Sequence, residues 1–438
     1  MKNFESIGVQ IPNIVLPQKE LDLQKWSVIA CDQYTSQPDY WHTVEQIVGN
    51  SPSTLNLVLP EVFLEEEDIQ DRIIKTQTNM KKYLEGDVFF EQEGFILVER
   101  TVSGKTRHGI LLALDLEKYD FNKGSQTLIR ATEGTIIERL PPRIRIREDA
   151  ILEFPHILVL IDDPYKTVIE PLVTKKPLLR KLYDFELMMG SGHIRGFSIQ
   201  DQILESQVIE ALTQLANPDS FRKKYNIHDE RGVLLFAMGD GNHSLATAKA
   251  IWEKQKDIVR LNHPSRYALV EIENVHDEGL EFEPIHRVVF NLRCDPFESM
   301  IDFWNNDIEI QKNLSKQEMI KIIDSNLGHS HKFGFIFKNS FSVIKIKNPK
   351  SNLMAGELQN FLDKWACIPN ADKIDYVHGA DVTCDLGNRD GNCGFYLPAM
   401  KKDDLFKTVI LDGALPRKTF SMGEAKEKRF YLEGRRIK

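Results

Sequence analysis

The sequence predicts an α/β (α+β) protein with a mixed sheet and interspersed helices. Three observations point there. Short apolar runs of strand length alternate with amphipathic stretches of helical period along most of the chain. One such run, residues 233–237, feeds a glycine-rich turn and then an alanine-rich helix. The chain has 438 residues, 42% hydrophobic and 28% charged, which suits two or three domains of ~150 residues with large cores and excludes disorder.

Taken in order, residues 60–83 read as one or two helices with Ile69, Ile73 and Ile74 at helical spacing. Residues 95–98 and 110–114 form a hairpin about Ser103-Gly104-Lys105. Residues 156–161 read as a buried strand ended by Asp162-Asp163-Pro164. Two shorter strands, near Phe185 and over 194–199, flank Gly190-Ser191-Gly192. A helix follows over 201–216, with Asp201 as N-cap for apolar Ile203, Val208, Ile209 and Leu212. The strand 233–237 then leads through a turn at 239–243 into a helix over 244–254. Strands at 267–272, 287–290 and 332–337 and helices at 296–306, 315–327 and 355–366 complete the reading. The expected organisation is a main α/β domain, 1–295, and a C-terminal α+β region, 296–438. The last thirty residues, rich in Lys and Arg, are expected to be a tail or an edge segment.

The charge balance, 56 basic against 65 acidic residues with a net charge of −9, argues against nucleic acid or an anionic membrane as partner. Five scattered cysteines, Cys31, Cys294, Cys367, Cys384 and Cys393, read as reduced thiols. No apolar window reaches the ~18 residues of a membrane span, and the first residues carry no apolar leader. A cytoplasmic protein is expected.

The stretch with most chemistry is Gly239-Asp240-Gly241-Asn242-His243-Ser244, between strand and helix. Two glycines permit a tight turn, and the first N–H groups of the helix make an anion site. Asp240 and His243 add a carboxylate and an imidazole able to handle a proton or a metal. A plain connection capped by Asn242 or Ser244 would explain those two residues, but not the Asp and the His. A second cluster holds Arg130, Glu133, Glu138, Arg139, Arg143, Arg145 and Arg147. Alternation over 143–147 suggests an extended segment with three arginines on one face, suited to phosphate or carboxylate, or a solvated face paired with its own acids. Ser103-Gly104-Lys105-Thr106 ends like a P-loop but lacks its first glycine, and residues 381–392 lack the turn Gly and final Glu of a calcium loop.

The stretch from Phe236 to Ala248 resembles the signature of the bacterial family called domain of unknown function 1015: an apolar strand, Asp-Gly-His-His-Arg and an Ala-rich helix. Arg130 to Thr135 and Arg287 to Phe290 add weaker matches. The signature is also similar to that of the ParB/sulfiredoxin-like fold, which includes free serine kinases. Two positions depart from it, with Asn242 for the first His and Ser244 for the Arg. The resemblance implies a phosphate-binding turn and a phosphotransfer enzyme resembling free serine kinase. Its expected partners are a nucleotide, ATP or ADP, and a small amino-acid-like substrate such as serine. His243 and Asp240 would stand at the phosphate, Gly239, Gly241, Asn242 and Ser244 would cradle it, and Arg130, Arg139 and Arg143 would supply the missing cation. Glu133 or Glu138 would act as base, and Mg²⁺ near Asp240 would neutralise charge. Two alternatives stay open: a nucleotide- or phosphate-binding regulator without turnover, and a phosphoester hydrolase using His243.

Overall fold

The computed structural model describes residues 2–325, 331–365 and 370–438. The ends of two expected helices, at 326–327 and 366, and Cys367 lie outside the described residues. The chain divides into two compact units, Met1–Leu280 with Gly423–Lys438, and Glu281–Met422. The division therefore precedes the expected 295, and the end of the chain belongs to the first unit.

The first unit is built on a mixed sheet. Its strands are β1 (Phe95–Val102), β2 (Lys105–Asp115), β3 (Tyr119–Asp120), β4 (Ile129–Arg130), β5 (Leu158–Ile161), β6 (Arg180–Glu186), β7 (His193–Ile199), β8 (Phe236–Asp240) and β9 (Tyr267–Asn274). They lie in the order β6-β7-β1-β2-β9-β5-β8-β4-β3, and Asn3–Phe4 and Val9–Gln10 extend the sheet beside β2. The β5/β9, β8/β4 and β4/β3 pairs are parallel, and the other pairs on this path are antiparallel. The β1/β2 hairpin turns at Ser103 and Gly104, both with positive φ, the geometry that matches strand twist.

Both faces of the sheet are buried. Phe95 and Leu97 face one core with Ile110 and Leu112; Ile96 and Val98 face the other with Leu111. Helix α1 (Ile69–Glu85) packs on the second core through Ile73, Met80 and Tyr83. Ile74, expected on that face, is exposed, because Thr76 and Met80 continue the stripe from Ile73 instead. Helices α3 (Gln202–Leu215) and α4 (Asn242–Gln255) cover the first core with Val208, Leu212, Leu245 and Trp252. Each such side chain contributes roughly 1.5–3 kcal/mol on burial. Asp201 caps α3 as expected, accepting from the N–H groups of Ile203 and Leu204, although Ile203 itself points to solvent.

Two local expectations change. The strand expected at 233–237 runs from Phe236 to Asp240, because its register is set by β5, where Ala237 and Met238 face Leu160 and Val159. Leu234 and Leu235 are buried without pairing as strand. The segment 143–147 is not extended: it lies in helix α2 (Leu140–Arg147). Pro141 and Pro142 fall in the first turn, where a missing N–H is tolerated. Arg143 and Arg147 then share one helix face at i, i+4, and Arg145 is exposed.

The second unit has strands β10 (Phe282–Phe290), β11 (Ile308–Leu314), β12 (His331–Phe337), β13 (Ser340–Ile346), β14 (Lys373–His378), β15 (Cys393–Tyr396) and β16 (Phe420–Met422). Their order is β11-β13-β12-β15-β10-β14, with β16 paired to the start of β10. Helices Pro296–Trp304 and Met354–Trp365 place Met300, Trp304, Leu358 and Phe361 against Phe333, Phe335 and Phe395. Lys316–Asp324 packs Met319 and Ile323 on Ile336 and Val343. Among the described residues no helix is long and apolar enough to cross a membrane, and Cys31, Cys294, Cys384 and Cys393 are free thiols.

The basic C-terminal stretch is not a free tail. Phe430–Tyr431 pairs with Val28–Ile29, and Arg435–Arg436 pairs with Leu152–Glu153. Arg429 and Arg435 are buried. The Arg429 guanidinium donates to Glu271 Oε2 at 2.8 Å, to Glu433 Oε2 at 2.9 Å and to the Pro155 carbonyl at 2.9 Å. Arg435 Nε donates to Glu153 Oε1 at 2.8 Å. Gly109 makes room for this row, since a Cβ there would lie 2.4 Å from Glu271 Oε1. Further along, Arg107 Nε stands 2.9 Å from Glu273 Oε1.

Burial and the neighbouring Glu271 charge outweigh Arg107 at Glu273 and push its carboxyl up from 4.5 to about 7. Between those values the unfolded chain gives up this proton and the folded chain keeps it. Stability therefore falls as pH rises from 4.5 to 7 and is flat above. Glu273→Gln should match the native melting temperature at pH 4.5 and exceed it by several degrees at pH 8. Melting curves across that range check it, and equal differences at both ends would refute it.

Candidate active site at the start of helix α4

The turn is fixed by packing before any chemistry is considered. Phe236, Ala237 and Met238 are fully buried between β5 and β4, so β8 arrives in one register. Gly241 follows with φ +78°, and a Cβ there would stand 3.1 Å from the Ile157 backbone. Both favour glycine. Gly241 is also the N-cap of α4 and has no side chain of its own to offer the first-turn N–H groups. The helix thus starts two residues earlier than expected, Gly239 lies within the strand, and neither Asn242 nor Ser244 is the cap. Asn242 Oδ1 is buried without a hydrogen-bond partner among the described residues.

Charge converges on the same point. The Gly241 N–H donates to Asp240 Oδ1 at 2.8 Å, and Lys428 Nζ lies 3.2 Å from Asp240 Oδ2. Burial works against the Asp240 carboxylate, but Lys428, His156 and the Gly241 N–H together hold its pKa below the usual range. The N–H of Ile136 donates to His243 Nε2 at 3.4 Å, and Thr132 Oγ1 donates to the Met238 carbonyl at 2.7 Å. These contacts, the β4/β8 pairing and the packing of α2 on α4 lay the 130–147 segment along the turn.

Beside the first turn of α4 is a cavity of about 130 Å³. Its polar wall includes Glu61, Arg143, His156, Ser244 and Tyr431; Leu59, Ile146 and Leu152 are among the apolar residues. His156 is buried, with Nε2 3.1 Å from Ser244 Oγ, Nδ1 2.8 Å from the Tyr431 hydroxyl, and Asp32 Oδ2 3.8 Å from Nε2. Tyr431 accepts from the Cys31 N–H at 3.0 Å. Burial pushes both the Tyr431 phenol and the Cys31 thiol well up, so both stay protonated at neutral pH.

Asp240, Gly241, Asn242, His243 and Ser244 therefore share one turn, and Arg143 reaches the cavity that Ser244 lines. Arg143 is ion-paired there with Glu61, and Arg147 with Glu153. Arg130 is withdrawn: it is buried, donates to the carbonyls of Thr127 and Gly232, and burial lowers its pKa to about 10. Glu133 is half-buried next to Thr132, whereas Glu138 is exposed on a 3₁₀ turn, Ile137–Arg139. The side chain of Arg139 lies outside the described residues. Lys428, His156, Asp32 and Tyr431 escaped the sequence reading; a lysine in a basic terminal stretch and a histidine opening an apolar run gave weak signals.

Among the described residues no three His, Cys, Asp or Glu side chains gather as metal ligands. Asp240, expected near Mg²⁺, is engaged by an ammonium instead. The donors at the turn fit a phosphate group, through N–H groups and Lys428, better than a bound cation.

The family model described as "Protein of unknown function (DUF1015)" matches residues 15–365, and the chain belongs to that family. Among curated proteins none matches. Of the solved structures, a free serine kinase mutant in complex with AMP is similar at 11% identity and a TM-score of 0.36, covering 75% of this chain and 92% of that one. SbnI with a C-terminal truncation, from Staphylococcus aureus, is similar at 8% identity and a TM-score of 0.34, covering 71% and 81%. A conserved hypothetical protein from Pyrococcus furiosus is similar at 13% identity and a TM-score of 0.32, covering 74% and 90%.

Lys428→Met should test the ion pair. Asp240 is depressed in the folded chain, so the pair's stabilisation is present above the unfolded carboxyl pKa and is lost as pH falls through the folded value. The variant should lose roughly 1–3 kcal/mol at pH 7, between the values for exposed and buried pairs. That difference, read in urea titrations, should shrink as pH falls below the unfolded carboxyl pKa of about 3.9.

Proposed function

We propose that this member of the DUF1015 family is a phosphotransfer enzyme that moves a phosphoryl group between a nucleotide, ATP or ADP, and a small hydroxy amino acid such as serine. One observation carries the reading: a helix N-terminus with glycine as its N-cap, flanked by Lys428 and His243, in a turn whose positive φ favours glycine. Such a terminus supplies directed N–H donors and a partial positive charge for phosphate oxygens. Lys428 adds the full charge that Ser244 does not. His243, whose Nε2 accepts from the Ile136 N–H, stands in the same first turn. Glu133 takes the proton of the acceptor hydroxyl. The serine class rests on the resemblance of the Asp240-Gly241-Asn242-His243 stretch to the free serine kinase signature.

Thermal-shift measurements with ADP, ATP, serine and phosphoserine, followed by a phosphate-transfer assay, test this. The wild type should respond to a nucleotide and to one amino-acid partner, by several degrees when ligand is ~100-fold above its Kd. His243→Ala should abolish the nucleotide response while melting within a few degrees of wild type. A nucleotide response without transfer would replace the enzyme by a binding protein; no response to any of the four would refute the reading.

A further inference from the structure

Ser244 stands where the family signature carries an arginine, and its hydroxyl is not used for capping because Gly241 is the N-cap. Its Oγ lies 3.1 Å from Nε2 of His156, a ring only 6% exposed. The Tyr431 hydroxyl, 2.8 Å from Nδ1, holds the imidazole edge and is itself held by the Cys31 N–H. In the tautomer that directs Nδ1–H at the Tyr431 oxygen, Nε2 carries the lone pair and accepts from Ser244. Asp32 Oδ2, 3.8 Å from Nε2, then stabilises the imidazolium formed when the proton moves. This is the nucleophile–base–orienter arrangement that activates a serine. It faces the 130 Å³ cavity and shares the first turn of α4 with N–H groups that would bind a phosphoryl oxygen.

We propose that Ser244 is a phosphoryl-accepting nucleophile, so that transfer proceeds through a phosphoserine at this position; this rests on the phosphotransfer reading above. In the first step the Ser244 Oγ–P bond forms as the P–O bond to the leaving group breaks. The serine proton passes to His156 Nε2 and from there to the leaving oxygen or to solvent. In the second step the acceptor oxygen bonds to phosphorus as the Ser244 Oγ–P bond breaks, and the proton of the acceptor hydroxyl passes to His156 and from Nε2 to Ser244 Oγ. No electrons are exchanged and no co-reactant is needed. His156 is the base, and Tyr431 is a positioning residue that acts through it.

The experiment is intact-mass spectrometry of the full chain after incubation with ATP and, separately, with acetyl phosphate, with peptide mapping of any adduct. Wild type should gain the mass of one phosphoryl group on Ser244, and Ser244→Ala should gain none while melting normally. His156→Gln should be labelled ~10²–10⁴-fold more slowly, as expected for loss of a general base, with its nucleotide thermal shift retained. Transfer from ATP to serine at the wild-type rate by Ser244→Ala would overturn the proposal and leave the enzyme reading standing. Should no nucleotide bind, that reading fails, and acetyl phosphate decides this one alone: labelled Ser244 supports it and unlabelled protein overturns it.

Discussion

The first unit depends on a buried guanidinium, that of Arg429, held between Glu271 and Glu433. Charges so placed are costly unless geometry and hydrogen bonding are good, and here each of the three guanidinium nitrogens donates, to two carboxylates and two backbone carbonyls in all. The arrangement ties the C-terminal strand to β9 in the centre of the sheet. It thereby fixes the two residues on either side of it that matter chemically. Lys428, one position before, meets Asp240; Tyr431, two positions after, meets His156. Packing alone would hold an apolar segment in many nearly equivalent poses. A carboxylate–guanidinium grid accepts one.

The same row explains why the interior of this sheet is polar on one side of β9. Leu269 belongs to the second core, but Glu271 and Glu273, two and four residues on, point to the same face. Gly109 opposite them gives up its side chain to the Glu271 carboxylate. The titration of Glu273 near neutrality is the residue of that compromise: one carboxylate of the row has a cation beside it, yet neither of its oxygens finds a well-aligned donor among the described residues.

Local pattern carried much of the fold. The β1/β2 hairpin, the cap at Asp201 and the strands around β7 and β9 all follow from period, turn chemistry and capping within a dozen residues. What failed were segments decided by distant partners. The Arg-Ile alternation at 143–147 has period 2 on paper, but Leu140, Pro141 and Pro142 start a helix, and Glu61 and Glu153 reward two arginines four residues apart. Arg130 looked like a phosphate ligand because its need for backbone carbonyls at 127 and 232 is invisible in a linear reading. The turn itself was legible because glycine, aspartate, asparagine and histidine crowd into six positions. Its cation was not, since nothing local marks Lys428 as inward-facing.

That separation has a physical consequence. Asp240 stands in mid-chain, and its ammonium partner, Lys428, comes from near the C-terminus. Closing so long a loop costs entropy before any contact repays it, so the charge reaches the turn only when the C-terminal strand has docked. Until then Asp240 stands before α4 without its ammonium partner. Ser244, in the first turn of α4, meets His156 and lines the cavity beside it. The docking that brings Lys428 to Asp240 also brings Tyr431 to His156, so both contacts form in one event.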